Sequence, residues 1–230
     1  MKTLLAQLLW ISIIFIDVPE VKVSGALKNV MMRGDLSSHI DLDTLNKTNL
    51  YGLGPIAGLK GELMIMNGQV FSSENRGNTV DNQTNKISKA AMLVYSRIDK
   101  WRAFPIEAIV NDFSELEHLV ESTAQTNGYD VSKPFAFKIE TVPQSVHYHI
   151  IGWKNSVPHT MDNHKQFAIM DSIKNKSVQL LGFYSPNHKG IFTHHPSNVH
   201  VHIRSAEDRT VGHLDAIHAR GNITIYLPEM

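Results

Sequence analysis

Alternating apolar and polar positions dominate the chain and predict strands more often than helices. In "GELMIMNGQVFSS", Glu62, Met64 and Met66 fall on one face and Leu63 and Ile65 on the other, and Asn67-Gly68 reads as a type I′ turn that closes a hairpin. "AAMLVYSRI", "PFAFKIETV", "VHYHIIGW", "SVQLLGFYS", "NVHVHIRS" and "NITIYLP" read as further strands. In the second of these, Phe135, Phe137 and Ile139 share one face, with Lys138 and Glu140 on the other. Helical spacing is rarer. "SELEHLVESTAQTNG" carries a capping box of Ser114 and Glu117, an apolar stripe of Leu116, Leu119 and Val120, and a stop at Gly128. A second helix is predicted in "DNHKQFAIMDSIKN", through Phe167, Met170 and Ile173, and a short one in "LSSHIDLDTLN". "YGLGPIAGLKG", with four glycines and a proline, reads as irregular backbone.

Strands, helix, strands, helix, strands is an α+β order rather than regular βαβ winding. It predicts two related lobes of mixed or antiparallel sheet with a few helices and a site between them. The boundaries are 26–130 for an N-terminal α/β lobe and 131–230 for a β-rich C-terminal lobe. Residues 1–25 read as a signal peptide. One lysine precedes an apolar run from Leu4 to Ile16, too short to span a bilayer, with small residues Val23 and Gly25 before the cut. A buried N-terminal strand is the alternative. The expectation is an exported protein, periplasmic or secreted, with no membrane attachment after cleavage.

Composition narrows the chemistry. The formal net charge is zero, so no electrostatic argument points to nucleic acid or an anionic membrane. There is no cysteine among the 230 residues, which excludes disulfides and thiolate metal sites. A transition metal would need nitrogen and oxygen ligands, and 13 histidines make that feasible. His200 and His202 lie two apart on a predicted strand, so both rings point to one side, about 7 Å apart along it. Val199, Val201 and Ile203 face the other way. The charged turn "SAEDRTVG" lets the chain fold back and bring His213 beside the pair. Three neutral ligands with open positions describe a catalytic metal site rather than a closed structural one. Spacing alone leaves the ordinary reading open, in which these are surface or packing histidines, and a second pair, His147 and His149, has the same spacing.

At these residues the chain resembles the α-acetolactate decarboxylases. The matching residues are Gly182, Phe183, Pro186, His200, His202, Gly212, His213 and Asp215. "YGLGPIAGLKGELMIMNGQVF" and "PFAFKIETVP" are similar to segments of that family's N-terminal half, in the same order. The resemblance implies conversion of 2-acetolactate, a small-molecule substrate, to acetoin and carbon dioxide on a Zn2+ ion held by His200, His202 and His213. It implies an acid/base or positioning role for Glu62. It sets Lys138 where the family usually has arginine, as the charge facing substrate, although lysine lacks arginine's bidentate fork. The family's C-terminal tail returns an acidic residue to the site, whereas this chain stops at "NITIYLPEM". The segment "FTHHPSN" is longer than usual and adds His194 and His195. Two alternatives stand beside the decarboxylase: a related metal-dependent enzyme acting on another hydroxy-keto acid, and a non-catalytic exported metal- or ligand-binding protein. Exposed edge strands, like the resemblance, point to a homodimer.

Overall fold

The computed structural model describes residues 16–154, 156–194 and 196–229. In chain order its elements begin with β1 (Lys22–Ser24), α1 (Leu27–Arg33), β2 (Ile40–Asp41), β3 (Leu50–Pro55), β4 (Gly61–Met66), β5 (Gln69–Asn75), β6 (Val80–Thr84), β7 (Lys89–Ala90) and β8 (Leu93–Arg97). They continue with β9 (Lys100–Val110), α2 (Phe113–Thr126), β10 (Phe135–Thr141), β11 (Ser145–Ile150), β12 (Ile169–Ile173), β13 (Val178–Tyr184), β14 (Val199–Ser205) and β15 (Val211–Glu229).

Two antiparallel sheets carry the fold. The first runs β1-β8-β3-β4-β5-β6. Its β4–β5 hairpin turns through Asn67 and Gly68, both at positive φ (49° and 79°), as a type I′ turn requires. The expected alternation holds: Leu63 and Ile65 pack into one cluster with Leu42, Leu50 and Val70, while Met64 packs into another. The second sheet runs β10-β13-β14-β15-β11-β12, and β10 also pairs with β15, which closes the sheet on itself. Met64, Leu53 and Phe71 of the first sheet meet Leu181, Phe183 and Val211 of the second in one buried cluster. The sheets thus pack face to face, and Glu62 shares the face of Met64 that looks toward the second sheet.

Several elements differ from expectation, each for a physical reason. The segment 162–175 forms turns and then β12, not a helix. Thr160 N–H donates to Asn163 Oδ1 (2.7 Å) and Asn163 Nδ2 donates to the Pro158 carbonyl (3.0 Å), offering the backbone a competing turn. Ile169–Ile173 then pairs with β11, from Ile150↔Ile169 to Val146↔Ile173. In "LSSHIDLDTLN" the helix is replaced by β2 and a single 3₁₀ turn, because the Asp35 and Asp41 carboxylates bind nearby backbone and hydroxyl groups. α1 escaped sequence reading because its N-cap, Ala26, makes no side-chain bond and so leaves no start signal. α2 begins earlier than its predicted cap: Asp112 accepts from Glu115 N–H (2.8 Å), and the Glu115 carboxylate accepts from Asn111 N–H (2.8 Å). β9 pairs with β15 from Val110↔Ala219 to Lys100↔Glu229, and α2 packs on the same sheet, so the sheets divide the chain between Arg97 and Lys100 rather than at residue 130. β1 pairs with β8 as an edge strand, and residues 1–15 of the proposed leader lie outside the described residues. No helix among the described residues is long and apolar enough to cross a membrane.

Candidate metal centre and its cavity

The histidines meet because of strand order. β14 and β15 form an antiparallel hairpin in which His202 stands directly opposite His213. On the other side of β15, His213 is paired with His149 of β11. The preceding residue has to be small. A Cβ on Gly212 would lie 2.3 Å from the Tyr148 ring, which packs across the strand at that point.

His200, His202 and His213 lie close together. Their ring centroids stand 5.1 Å apart (His200–His202 and His200–His213) and 5.6 Å apart (His202–His213). His202 Nδ1–H donates to the Leu63 carbonyl (3.0 Å), which fixes the tautomer and leaves the Nε2 lone pair free. Burial pushes His202 down to about 3, and burial together with neighbouring imidazoles holds His200 and His213 well below the usual histidine range. All three are therefore neutral at neutral pH, the form that binds metals. His202 Nε2 is buried without a hydrogen-bond partner. An unsatisfied buried polar atom costs on the order of 1–3 kcal/mol, so that lone pair is one a ligand would satisfy. Clustered, neutral imidazoles fit a cation.

Two further groups join them. His194, His200 and His213 each bring a ligand atom within 4.8 Å of the others, as do His149, His213 and Asp215. His202 belongs to neither tight group, and its Nε2 stands 3.5 Å from Glu62 Oε2. Glu62 is buried at 3% exposure and takes one long hydrogen bond from Ile151 N–H (3.4 Å). Burial pushes its carboxyl up to about 8. Asp215 accepts from His149 Nδ1 (2.8 Å) and pairs with the Lys165 ammonium. A cavity of about 520 Å³ opens on this cluster. Leu27, Val30 and Met31 of α1, with Leu59, give it an apolar wall, and Glu62, His149, His164, Lys165, His194 and Asp215 give it a polar floor.

Lys138 is elsewhere. In the second sheet it pairs with Leu181, and Leu181 with His202, so an apolar side chain separates it from the histidines. Its ammonium lies over Trp101 (4.6 Å), Tyr226 (4.7 Å) and Tyr51 (5.8 Å), and it does not line the cavity. The cation that does is Lys165, in a segment read from the sequence as helix. Of the pair His147 and His149, only His149 reaches the cavity; alternation turns His147 outward. His195 lies outside the described residues.

The fold, two packed antiparallel sheets, has relatives. Residues 25–230 match the family model described as alpha-acetolactate decarboxylase, and the chain belongs to that family. It is thereby a carboxy-lyase by family, acting in general terms on acetolactate. Among solved structures, alpha-acetolactate decarboxylase from Bacillus subtilis strain 168 aligns with a TM-score of 0.73 at 15% identity, over 91% of this chain and 86% of that one. A Staphylococcus aureus protein of unknown function, similar to alpha-acetolactate decarboxylase, aligns with a TM-score of 0.74 at 13% identity, over 91% and 85%. Acetolactate decarboxylase from Bacillus subtilis subspecies spizizenii gives 0.73 at 16%, over 91% and 86%. At these identities the likeness is one of fold. No curated protein sequence matches the chain.

Proposed function

We propose that the protein decarboxylates 2-acetolactate to acetoin and carbon dioxide with a zinc ion held by His200, His202 and His213. The observation that carries this is the clustering of three buried, neutral imidazoles whose ring centroids stand 5.1 to 5.6 Å apart. Neutral imidazoles without thiolate suit zinc, at bond lengths of about 2.0–2.1 Å. Bound there, the ion supplies a Lewis acid for the keto and hydroxyl oxygens of a β-keto acid, the electron sink that loss of carbon dioxide needs. The rest falls to the chain. Glu62 sits on the cavity wall beside His202 and holds a proton that a carbanionic product can accept. Lys165 offers the positive charge for the substrate carboxylate. The apolar wall from α1 takes the alkyl groups and excludes water.

A second reading, decarboxylation of a bulkier 2-hydroxy-3-keto acid, is favoured by the size of the cavity and its apolar wall. Acetoin release from racemic acetolactate, before and after chelation and zinc return, tests both. Zinc-dependent acetoin supports the first, and turnover only of longer homologues supports the second. No turnover of either sinks both. We further propose export and homodimer formation through exposed strand edges. Because β1 belongs to the first sheet, cleavage upstream of Lys22 would keep that sheet whole, whereas cleavage after Gly25 would remove the strand. N-terminal sequencing of the exported protein and sedimentation of the purified one check these two points.

A further inference from the structure

The loop between β13 and β14 brings a further imidazole to the cluster. Its backbone is irregular but well anchored. Ser185 Oγ and His188 Nδ1 are 2.7 Å apart, and Gly190 N–H donates to the Thr193 carbonyl (2.7 Å). At its far end Ser197 Oγ and Asn198 N–H both donate to one Glu117 oxygen on α2, at 2.7 and 3.1 Å. Between these anchors His194 is turned into the cavity, and Ser197 N–H donates to its carbonyl (3.1 Å).

His194 Nε2 stands 3.0 Å from His213 Nε2, and its ring lies 5.0 Å from that of His213 and 5.8 Å from that of His200. One ligand atom from each of the three lies within 4.8 Å of the others. Two nitrogens bound to one tetrahedral ion at bond lengths of about 2.0–2.1 Å would stand roughly 3.3 Å apart. The spacing of His194 and His213 is close to that edge.

We propose that His194 is a fourth imidazole ligand, so that four protein nitrogens surround the metal. The proposal rests on the reading that His200, His202 and His213 hold a metal at all. The four are not equivalent. His200, His202 and His213 stand on paired strands, and His194 stands on a loop and is half-buried. Four imidazoles fill a tetrahedron, and a catalytic site needs an open corner. His194 is then the ligand that a chelating hydroxy-keto acid displaces, because moving it breaks no ladder hydrogen bond. A loop imidazole of this kind lets the resting site hold its ion tightly and still admit substrate.

The experiment has two parts. Cobalt(II) is loaded into the unsubstituted protein without substrate, and the imidazole ligands are counted by X-ray absorption. Four supports the proposal; three overturns it and leaves the metal site intact. Zinc affinity is then measured by chelator competition for wild type, His194→Ala and His147→Ala, the last an exposed histidine on the opposite face of β11. Loss of His194 should weaken zinc at least about tenfold, the loss that even an outer-shell partner can cause, while His147→Ala leaves affinity unchanged. Equal affinity in all three overturns the proposal. Failure of wild type to bind either ion overturns this proposal together with the reading beneath it. The metal-free circular dichroism of His194→Ala shows whether it folds, and the ligand count on the unsubstituted protein decides the matter without any variant.

Discussion

Gly61→Ala perturbs the cavity beside Glu62 through the backbone alone. Gly61 opens β4 immediately before Glu62 and pairs with Glu74 of β5. A Cβ built there would stand 2.0 Å from the Ser73 carbonyl oxygen and 2.8 Å from Glu74 Cα. Both are main-chain atoms, so no side chain can swing aside. Ordinary contact requires the strands to part by more than about 1 Å. Overpacking of this kind costs about 1–3 kcal/mol. For a domain near 200 residues that is roughly 2–12 °C in Tm. The larger effect is on catalysis, because Glu62 is carried with the shifted strand, and a misplacement of about 1 Å can lower turnover about 100-fold. The control is Gly77→Ala. Gly77 has φ of 89° with nothing within 4 Å of its added Cβ, so it carries only the backbone strain of about 1–2 kcal/mol. Differential scanning calorimetry and acetoin release on both variants make the comparison. Equal turnover in the two would refute the claim that the close β4–β5 approach positions Glu62.

Two other substitutions separate residues inside the cavity from those outside it. Glu62→Gln keeps the shape of a buried side chain but removes the transferable proton, and turnover should fall by about 10²–10⁴-fold with the fold retained; full activity would remove Glu62 from the chemistry. Lys138→Met should leave turnover unchanged while lowering stability by about 0.5–2 kcal/mol, the worth of its contacts with Trp101 and Tyr226; a large rise in KM would return Lys138 to the substrate.

Much of the histidine cluster was legible because it depends on strand period. His200 and His202 share a face by alternation, and the charged turn after Ser205 returns His213 to pair with His202. The face that Glu62 shares with Met64 followed from the same period, whereas its place at the site was implied only by the family resemblance. What stayed hidden depends on which strands are neighbours. His149 reaches the cluster because β11 lies on the free side of β15, a pairing with no local signal. Lys138 misses it because β13 intervenes and sets Leu181 between them. Lys165 was assigned to a helix by the spacing of Phe167, Met170 and Ile173, a pattern that the β11 edge recruits as a strand instead. The sequence resemblance named histidines that lie close together, but not the lysine that lines the cavity. The histidines stand on strands, whereas Lys165 and His194 come from segments without regular structure.

The account stands on a divalent ion bound between β14 and β15. Crystals of the protein purified without chelator, measured at the zinc absorption edge, test it most directly. An anomalous peak among the rings of His200, His202 and His213, with nitrogen distances of about 2.0–2.1 Å, is the predicted result. Well-ordered imidazoles with no peak among them, in zinc-supplemented crystals, would contradict it.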